Sequence, residues 1–535
     1  MRDWGIMRTG RPLAAATALA LVTTGAAYLF GPGAGESPAA SRKQTTTSAT
    51  GTSGSTGAAE AAAPCTPDPR YPKRQLRGVW IATVKNIDWP SRAGLSPERQ
   101  KADYVKILDS AVKRRLNAVF VQVRPASDAL YKSSLEPWSQ YLTGTAGKDP
   151  GWDPLPFLVD EAHKRGLEFH AWFNPYRASY DGKAADLPAN HPARRHPDWV
   201  VRHDGRLYYN PGLPQVRDHV TKVVTDVVRR YDVDGVHFDD YFYPYPGQGG
   251  RFDDAAAFAK YGKGEKLADW RRDNVDKLIA EVDEAVHQAK GYVKFGVSPF
   301  GIWRNKAEDP SGSDTSGMSA YDAIYADARS WIKHGTVDYV IPQLYWPRGF
   351  KAADYRTLVA WWADAVKGTD VQLYIGQALY RVGARDDKAW TKPGELSAHL
   401  TYNRKFEQVK GDVYFSAKQL LTNPLRAIDR VVAEHYTRPA LLPLIKGLDG
   451  EAPAKPAGAG ASGATVSWTP SKGARAYAVY QEPKSGPDCR HDDARSLLAV
   501  VTAPSFTAPA PGTYLVTALD RLQHESKPAR VKVTG

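Results

Sequence analysis

Cysteine is scarce: the 535 residues hold two, Cys65 and Cys489. A disulfide-stapled scaffold is excluded, and one bridge at most is available, which suits an exported protein. Such a bridge would tie the segment before the main domain to the C-terminal region. No Gly-rich phosphate loop follows the first strand-like segment, which sets aside a nucleotide-binding open sheet. There is no His-x-His on that strand and no His-Glu-x-x-His, so no catalytic metal is assigned, and a serine nucleophile lacks its elbow motif. Nor is a nucleic-acid partner expected. The net charge is +13, but its Lys and Arg are scattered and no nucleic-acid-binding motif gathers them. An anionic cell envelope accommodates the same charge.

What is present is an ordinary globular mix, 42% apolar and 24% charged, in a chain long enough for two or more domains. Aromatics stand out, with 15 Trp and 28 Tyr. Sugar C–H faces stack on such rings, which leans towards carbohydrate, although large barrels also bury many aromatics. Arg2, Arg8 and Arg11 precede an alanine-rich apolar run over residues 13–30. That is the pattern of a secretory signal, with Ser37-Pro38-Ala39 as a weak cleavage site, or of an N-terminal membrane anchor. Residues 1–40 are read as this signal or anchor and residues 41–70 as a Thr/Ser/Gly/Ala-rich tether. The protein is expected to be secreted or held in the cell envelope; its oligomeric state is left open.

Residues 71–438 are read as one domain. Strand signals at 78–84, 118–124, 168–174, 235–241, 294–299, 338–345, 372–379 and 412–418 alternate with amphipathic helical stretches. The helices read at 97–115, 154–165, 215–231, 268–290, 320–334, 355–366 and 397–409, with a last one after Asn423-Pro424. Eight strand–helix units over about 360 residues predict a (β/α)8 barrel with enlarged loops after the second and third strands. Residues 439–535 change to short strands and Pro/Gly turns, with strands expected at 464–468, 476–480, 497–501 and 513–519. The segment resembles a fibronectin type III sandwich, with Trp468, Tyr477 and Tyr514 facing its core.

The chemistry gathers at the fourth strand, Asp234-Gly235-Val236-His237-Phe238-Asp239-Asp240-Tyr241-Phe242-Tyr243-Pro244. Carboxylates are depleted from strands, so two at a strand's C-terminal end point to an active site at the barrel mouth. Alternation would put His237 and Asp239 on one face and Asp240 on the other. Hydrolysis of a glycosidic bond needs two carboxyl groups, one to protonate the leaving oxygen and one to attack the sugar or activate water. Asp239 and Asp240 are the candidate catalytic pair. No other strand end offers an obvious acid, and Glu136 and Asp314, on loops bordering the mouth, are candidates for a missing one. Substrate contacts are expected from Arg124, Glu136, Trp138, His170, Trp172, Asn174, Arg177, His237, Tyr241, Gln343, Tyr345 and Gln377. A metal held by His237, Asp239, Asp240 and His170 is the rival chemistry, and a barrel that binds glycan without cutting it is the rival class.

Five segments carry a family resemblance: Arg77-Gly78-Val79-Trp80, Leu135-Glu136-Pro137-Trp138-Ser139, His170-Ala171-Trp172-Phe173-Asn174-Pro175-Tyr176-Arg177, the fourth-strand motif, and Pro342-Gln343-Leu344-Tyr345-Trp346. Through them the chain resembles the glycosyl-hydrolase-like 10 family of bacterial barrel proteins over most of residues 75–435. The resemblance implies an exported glycoside hydrolase acting on cell-envelope glycan, namely peptidoglycan strands stripped of peptides. It also implies that the aspartates of the fourth-strand motif are catalytic. No cofactor is expected.

Overall fold

The computed structural model describes residue 68 and residues 70–180, 182–247, 250–482 and 491–534. The signal run, most of the tether, Cys65 and Cys489 lie outside these residues. Eight parallel strands close into a barrel in sequential order: Leu76–Ile81, Ala118–Arg124, Glu168–Phe173, Gly235–Phe238, Lys294–Val297, Tyr339–Val340, Gln372–Gln377 and Val409–Tyr414. Leu76 pairs with Gly411 and Val79 with Tyr414, so the first strand meets the eighth. Every residue of Ala118–Arg124 is buried, as expected of a parallel strand covered on both faces.

The helices of the outer ring follow from local chemistry. Ser96 caps Pro97–Lys113 by accepting from Arg99 N, and Asp153 caps Pro154–Lys164 by accepting from Leu155 N; each helix has proline in its first turn. Pro214–Arg230 turns Val216, Val220, Val223, Val224 and Val227 towards the barrel, a stripe at helical spacing. The single helix expected at 320–334 is instead two, Ala320–Ala323 and Ala328–His334. Tyr325, with φ 55, turns the chain left-handed between them.

Aromatic rings fill the barrel. Phe120 stacks on His170 at 4.4 Å between ring centres and meets His237 edge-on at 5.0 Å, and His237 stacks on Tyr339. Such large rings fit because facing positions are bare. A Cβ on Gly235 would lie 2.3 Å from His170 Nδ1, and one on Gly296 equally close to the Tyr339 ring.

Beyond the barrel lie two antiparallel sheets. One holds Ala457–Ser462, Thr465–Thr469 and Ser505–Thr507; the other holds Leu497–Val501, Ala476–Gln481, Gly512–Leu519 and Ala529–Val533. Trp468 from the first and Tyr477 and Tyr514 from the second share one buried core. Three of these seven strands, Ala457–Ser462, Ser505–Thr507 and Ala529–Val533, were not expected. The first is a Gly/Ala/Ser run of weak strand propensity and the second only three residues long.

This sandwich packs on the face where the barrel strands begin. Arg521 Nη1 bonds Asp234 Oδ1 at 2.8 Å, just ahead of the fourth strand, and Lys73 Nζ meets Glu525 Oε2 at 2.6 Å, just ahead of the first. Arg74 Nη2 donates to the Gln523 carbonyl. The mouth, at the strands' other ends, is left to the barrel's own loops.

Candidate active site

The fourth strand stops at Phe238, so the chain leaves strand geometry just as the two aspartates begin. Alternation no longer separates them, and both carboxyls are buried at the mouth, Asp239 with 3% and Asp240 with 1% of its surface exposed. Their partners differ. Asp239 Oδ2 accepts from Asn174 Nδ2 at 2.7 Å and Trp172 Nε1 at 3.1 Å, and Oδ1 accepts from Tyr241 N at 3.1 Å. Asp240 Oδ1 accepts from Gln343 Nε2 at 3.0 Å, and its Oδ2 meets the Tyr245 hydroxyl. One carboxyl is therefore held from the third strand and the other from the sixth.

These bonds have a fixed polarity. Gln122 Oε1 accepts from Thr83 N at 3.0 Å and Val84 N at 2.9 Å, so Gln122 must present Nε2 to Asn174 Oδ1, 2.6 Å away. Asn174 must then present Nδ2 to Asp239. On the other side, Gln343 Nε2 also donates to the Ser298 carbonyl at 2.9 Å, which fixes that amide as a donor to Asp240.

Burial raises both carboxyls above the ordinary aspartate value, Asp239 to about 6 and Asp240 to about 8. For Asp240 the neighbouring Asp239 charge adds to burial, whereas three donors and Arg177 pull Asp239 back down. Asp240 is therefore the harder of the two to ionise. Arg177 lies 4.5 Å from the rings of both Tyr180 and Tyr241, a cation braced between aromatics beside the pair. Tyr345 is buried nearby, its hydroxyl raised by burial, by Tyr380 and by both aspartates.

Aromatic rings wall the mouth. Tyr245, Phe300 and Trp346 form one run, with ring centres 6.1 and 5.5 Å apart, and Tyr345, Tyr380 and Phe415 form another. Tyr245, Trp346 and Tyr380 are half-exposed, and so is Trp138 on the loop after the second strand.

The structure thus gathers Asp239, Asp240, Trp172, Asn174, Arg177, Tyr241, Gln343 and Tyr345, and it moves five other expected residues elsewhere. Gln377 faces outward between barrel and helices, bonded to Tyr355, Asp412 and His399, because alternation along the seventh strand turns Gly376 inward. His237 and His170 are fully buried barrel filling. Trp80 Nε1 can only donate, so His237 Nε2 accepts from it at 3.2 Å and the ring is neutral, its pKa lowered by burial. His170 bonds Tyr339 and Glu168. These histidines and the aspartates do not converge, and no group of three or more His, Cys, Asp or Glu placed for a metal occurs among the described residues.

Arg124 and Glu136 are spent on each other. Arg124 Nε donates to Glu136 Oε2 at 2.8 Å, and Glu136 Oε1 also accepts from Ser127 Oγ and meets His219 Nε2. Arg124 and its hydrogen bonds hold the Glu136 carboxyl well below its ordinary value despite burial, so Glu136 is no proton donor. Asp314 is exposed on its loop. Tyr245 and Ser298 were not singled out from the sequence; the Tyr-Phe-Tyr-Pro-Tyr run after the pair was the available signal for Tyr245.

The glycosyl hydrolase-like 10 family profile matches residues 75–392. The chain is 51% identical to a protein named glycosyl hydrolase YngK from Bacillus subtilis, over 72% of this chain and 76% of that protein. It is 42% identical to glycosyl hydrolase DigH of Escherichia coli K12, over 64% of this chain and 82% of that one. Among solved structures, the PgaB (BpsB) glycoside hydrolase domain from Bordetella bronchiseptica covers 68% of this chain and 99% of its own at 16% identity and a TM-score of 0.46, too loose a likeness to bear on chemistry.

Proposed function

The chain belongs to the glycosyl hydrolase-like 10 family, and from that premise we propose that it is an exported glycoside hydrolase cutting cell-envelope glycan, specifically peptidoglycan strands stripped of peptides. The observation that carries this reading is the divided pair: two buried carboxyls at one strand end, Asp239 held by Trp172, Asn174 and Tyr241 N and Asp240 by Gln343, with Asp240 the harder to ionise. A glycosidic bond is broken by an acid that protonates the leaving oxygen while negative charge supports the oxocarbenium-like carbon. Asp240 is the acid, already carrying its proton, and Asp239 is the charge. Trp346, Tyr245 and Tyr380 offer ring faces to successive sugars along the mouth, and Arg177 balances the carboxylate without neutralising the acid.

Export rests on the Arg-flanked apolar run over residues 13–30 and the tether behind it, with the protein released or kept at the membrane by that run. The sandwich is read as fibronectin type III-like. Its three-on-four sheets support this, as does the Tyr514 hydroxyl donating back to the Ala510 carbonyl at 2.6 Å, the corner tyrosine of such folds. It serves to brace the barrel from below. The test is release of new reducing ends from purified peptide-free glycan strands. Binding of those strands with no product would instead identify an inactive glycan-binding barrel.

A further inference from the structure

We propose that the substrate supplies its own nucleophile: the carbonyl oxygen of its 2-acetamido group attacks C1, Asp239 orienting that group and Asp240 protonating the departing oxygen. The inference rests on the glycan-hydrolase reading above and goes on to name the sugar class and the chemistry.

A hydrolase that attacks with its own carboxylate, or activates water directly, needs two carboxyls facing each other across the sugar, about 5 Å or roughly 6.5–9.5 Å apart. Here both carboxyls spring from consecutive residues of one strand end, and four other carboxyls on the barrel loops are bonded elsewhere or exposed. Glu136 is consumed by Arg124 and His219. Asp88, buried on the loop after the first strand, accepts from Ala82 N, Ser416 Oγ and Lys418 N and ties that loop to the one after the eighth strand. Asp128 accepts from Ala126 N within its own turn. Asp314 is exposed.

Neighbouring carboxyls drawn towards different strands suit neighbouring substituents. The glycosidic oxygen and the acetamido nitrogen sit on adjacent ring carbons, C1 and C2, and the two carboxyls sit on adjacent residues. Asp239 is drawn towards Trp172 and Asn174, and Asp240 towards Gln343 and Tyr245.

In the first step the acetamido oxygen forms a bond to C1 as the C1–O glycosidic bond breaks. The electron pair of that bond leaves with the oxygen, which takes the proton of Asp240. The acetamido N–H is held by the Asp239 carboxylate, which balances the cyclic oxazolinium charge. In the second step water adds to C1 from the vacated side and gives a proton to Asp240, and the ring C1–O bond reopens to the acetamide. Two displacements at C1 retain configuration, and Asp240 ends protonated as it began.

The test uses the full chain and peptide-free peptidoglycan strands, N-deacetylated and then re-acylated with either acetyl or trifluoroacetyl groups. Reducing ends give the rate, and proton NMR of the first product gives the anomer. Acetyl strands should be cut with retention, and trifluoroacetyl strands, whose carbonyl oxygen is a poorer nucleophile, at least about 100-fold more slowly at saturation. Inversion at C1, or equal rates on the two strands, overturns acetamido participation while leaving the hydrolase reading intact. Failure to cut the acetyl strands at all overturns both.

Discussion

Asn174 Nδ2 donates to Asp239 Oδ2 across 2.7 Å, joining the end of the third barrel strand to the end of the fourth. Backbone amides at Thr83 and Val84 set the direction of this bond through Gln122. Asp239 is thereby kept the more acidic of two carboxyls that burial would otherwise treat alike.

Removing that donor should therefore be visible in pH dependence. A carboxylate that loses a hydrogen bond becomes harder to ionise. Asn174→Ala should move the acid limb of kcat/KM upward from about 6 and lower kcat by about 10-fold or more. Gln122→Ala should move the same limb in the same direction. An unmoved limb in both variants would mean that the relay does not tune Asp239.

The pair should also cost stability. Both carboxyls have folded-state values raised above their ordinary ones, so the native state binds more protons than the unfolded chain between those values. The sign follows: their contribution is most favourable below pH about 4 and is lost as pH rises through about 6 for Asp239 and about 8 for Asp240. Asp240→Asn, which has no charge to bury, should be more stable than wild type at pH about 8, by on the order of 1–3 kcal/mol. Melting curves over pH check this, and a lower Tm for the variant at alkaline pH would contradict it.

How far the sequence could lead is clear from particular residues. All eight barrel strands were legible because apolar runs alternate with helical periodicity, and Asp239 was legible because a carboxylate there violates that pattern. Asp240 was assigned to the wrong face, since nothing local says that pairing ends at Phe238. Gln377 reads as a mouth residue from its place at the strand's end, but with Gly376 facing in, alternation turns it outward. Glu136 and Arg124 each look like site residues alone; that they neutralise each other depends on a loop folding back over the second strand.

Glu136→Gln separates structure from catalysis. Breaking a buried ion pair by altering one partner costs about 3–5 kcal/mol, so this variant should melt markedly lower. If it instead kept its Tm and lost all turnover, Glu136 would be the acid and Asp240 would not.

The sandwich should matter for stability alone. A chain ending after Gly447 keeps Leu441, whose backbone bonds Lys73 and Gln75, but loses the Arg521 contact to Asp234 and the Glu525 contact to Lys73. It should cut short soluble glycan with unchanged kcat and unfold at lower temperature. Loss of turnover in a truncation that remains folded by circular dichroism would place part of the site in the sandwich.

The most direct measurement is the rate of reducing-end release from peptide-free glycan strands by wild type and Asp240→Asn between pH about 4 and about 10. Wild type should give a bell, rising as Asp239 ionises near 6 and falling as Asp240 loses its proton near 8. The Asn variant, folded and at least as stable, should be slower by about 10³-fold at the optimum. Turnover by Asp240→Asn equal to wild type, with the same alkaline limb, would contradict the assignment of the acid and with it the account of this site.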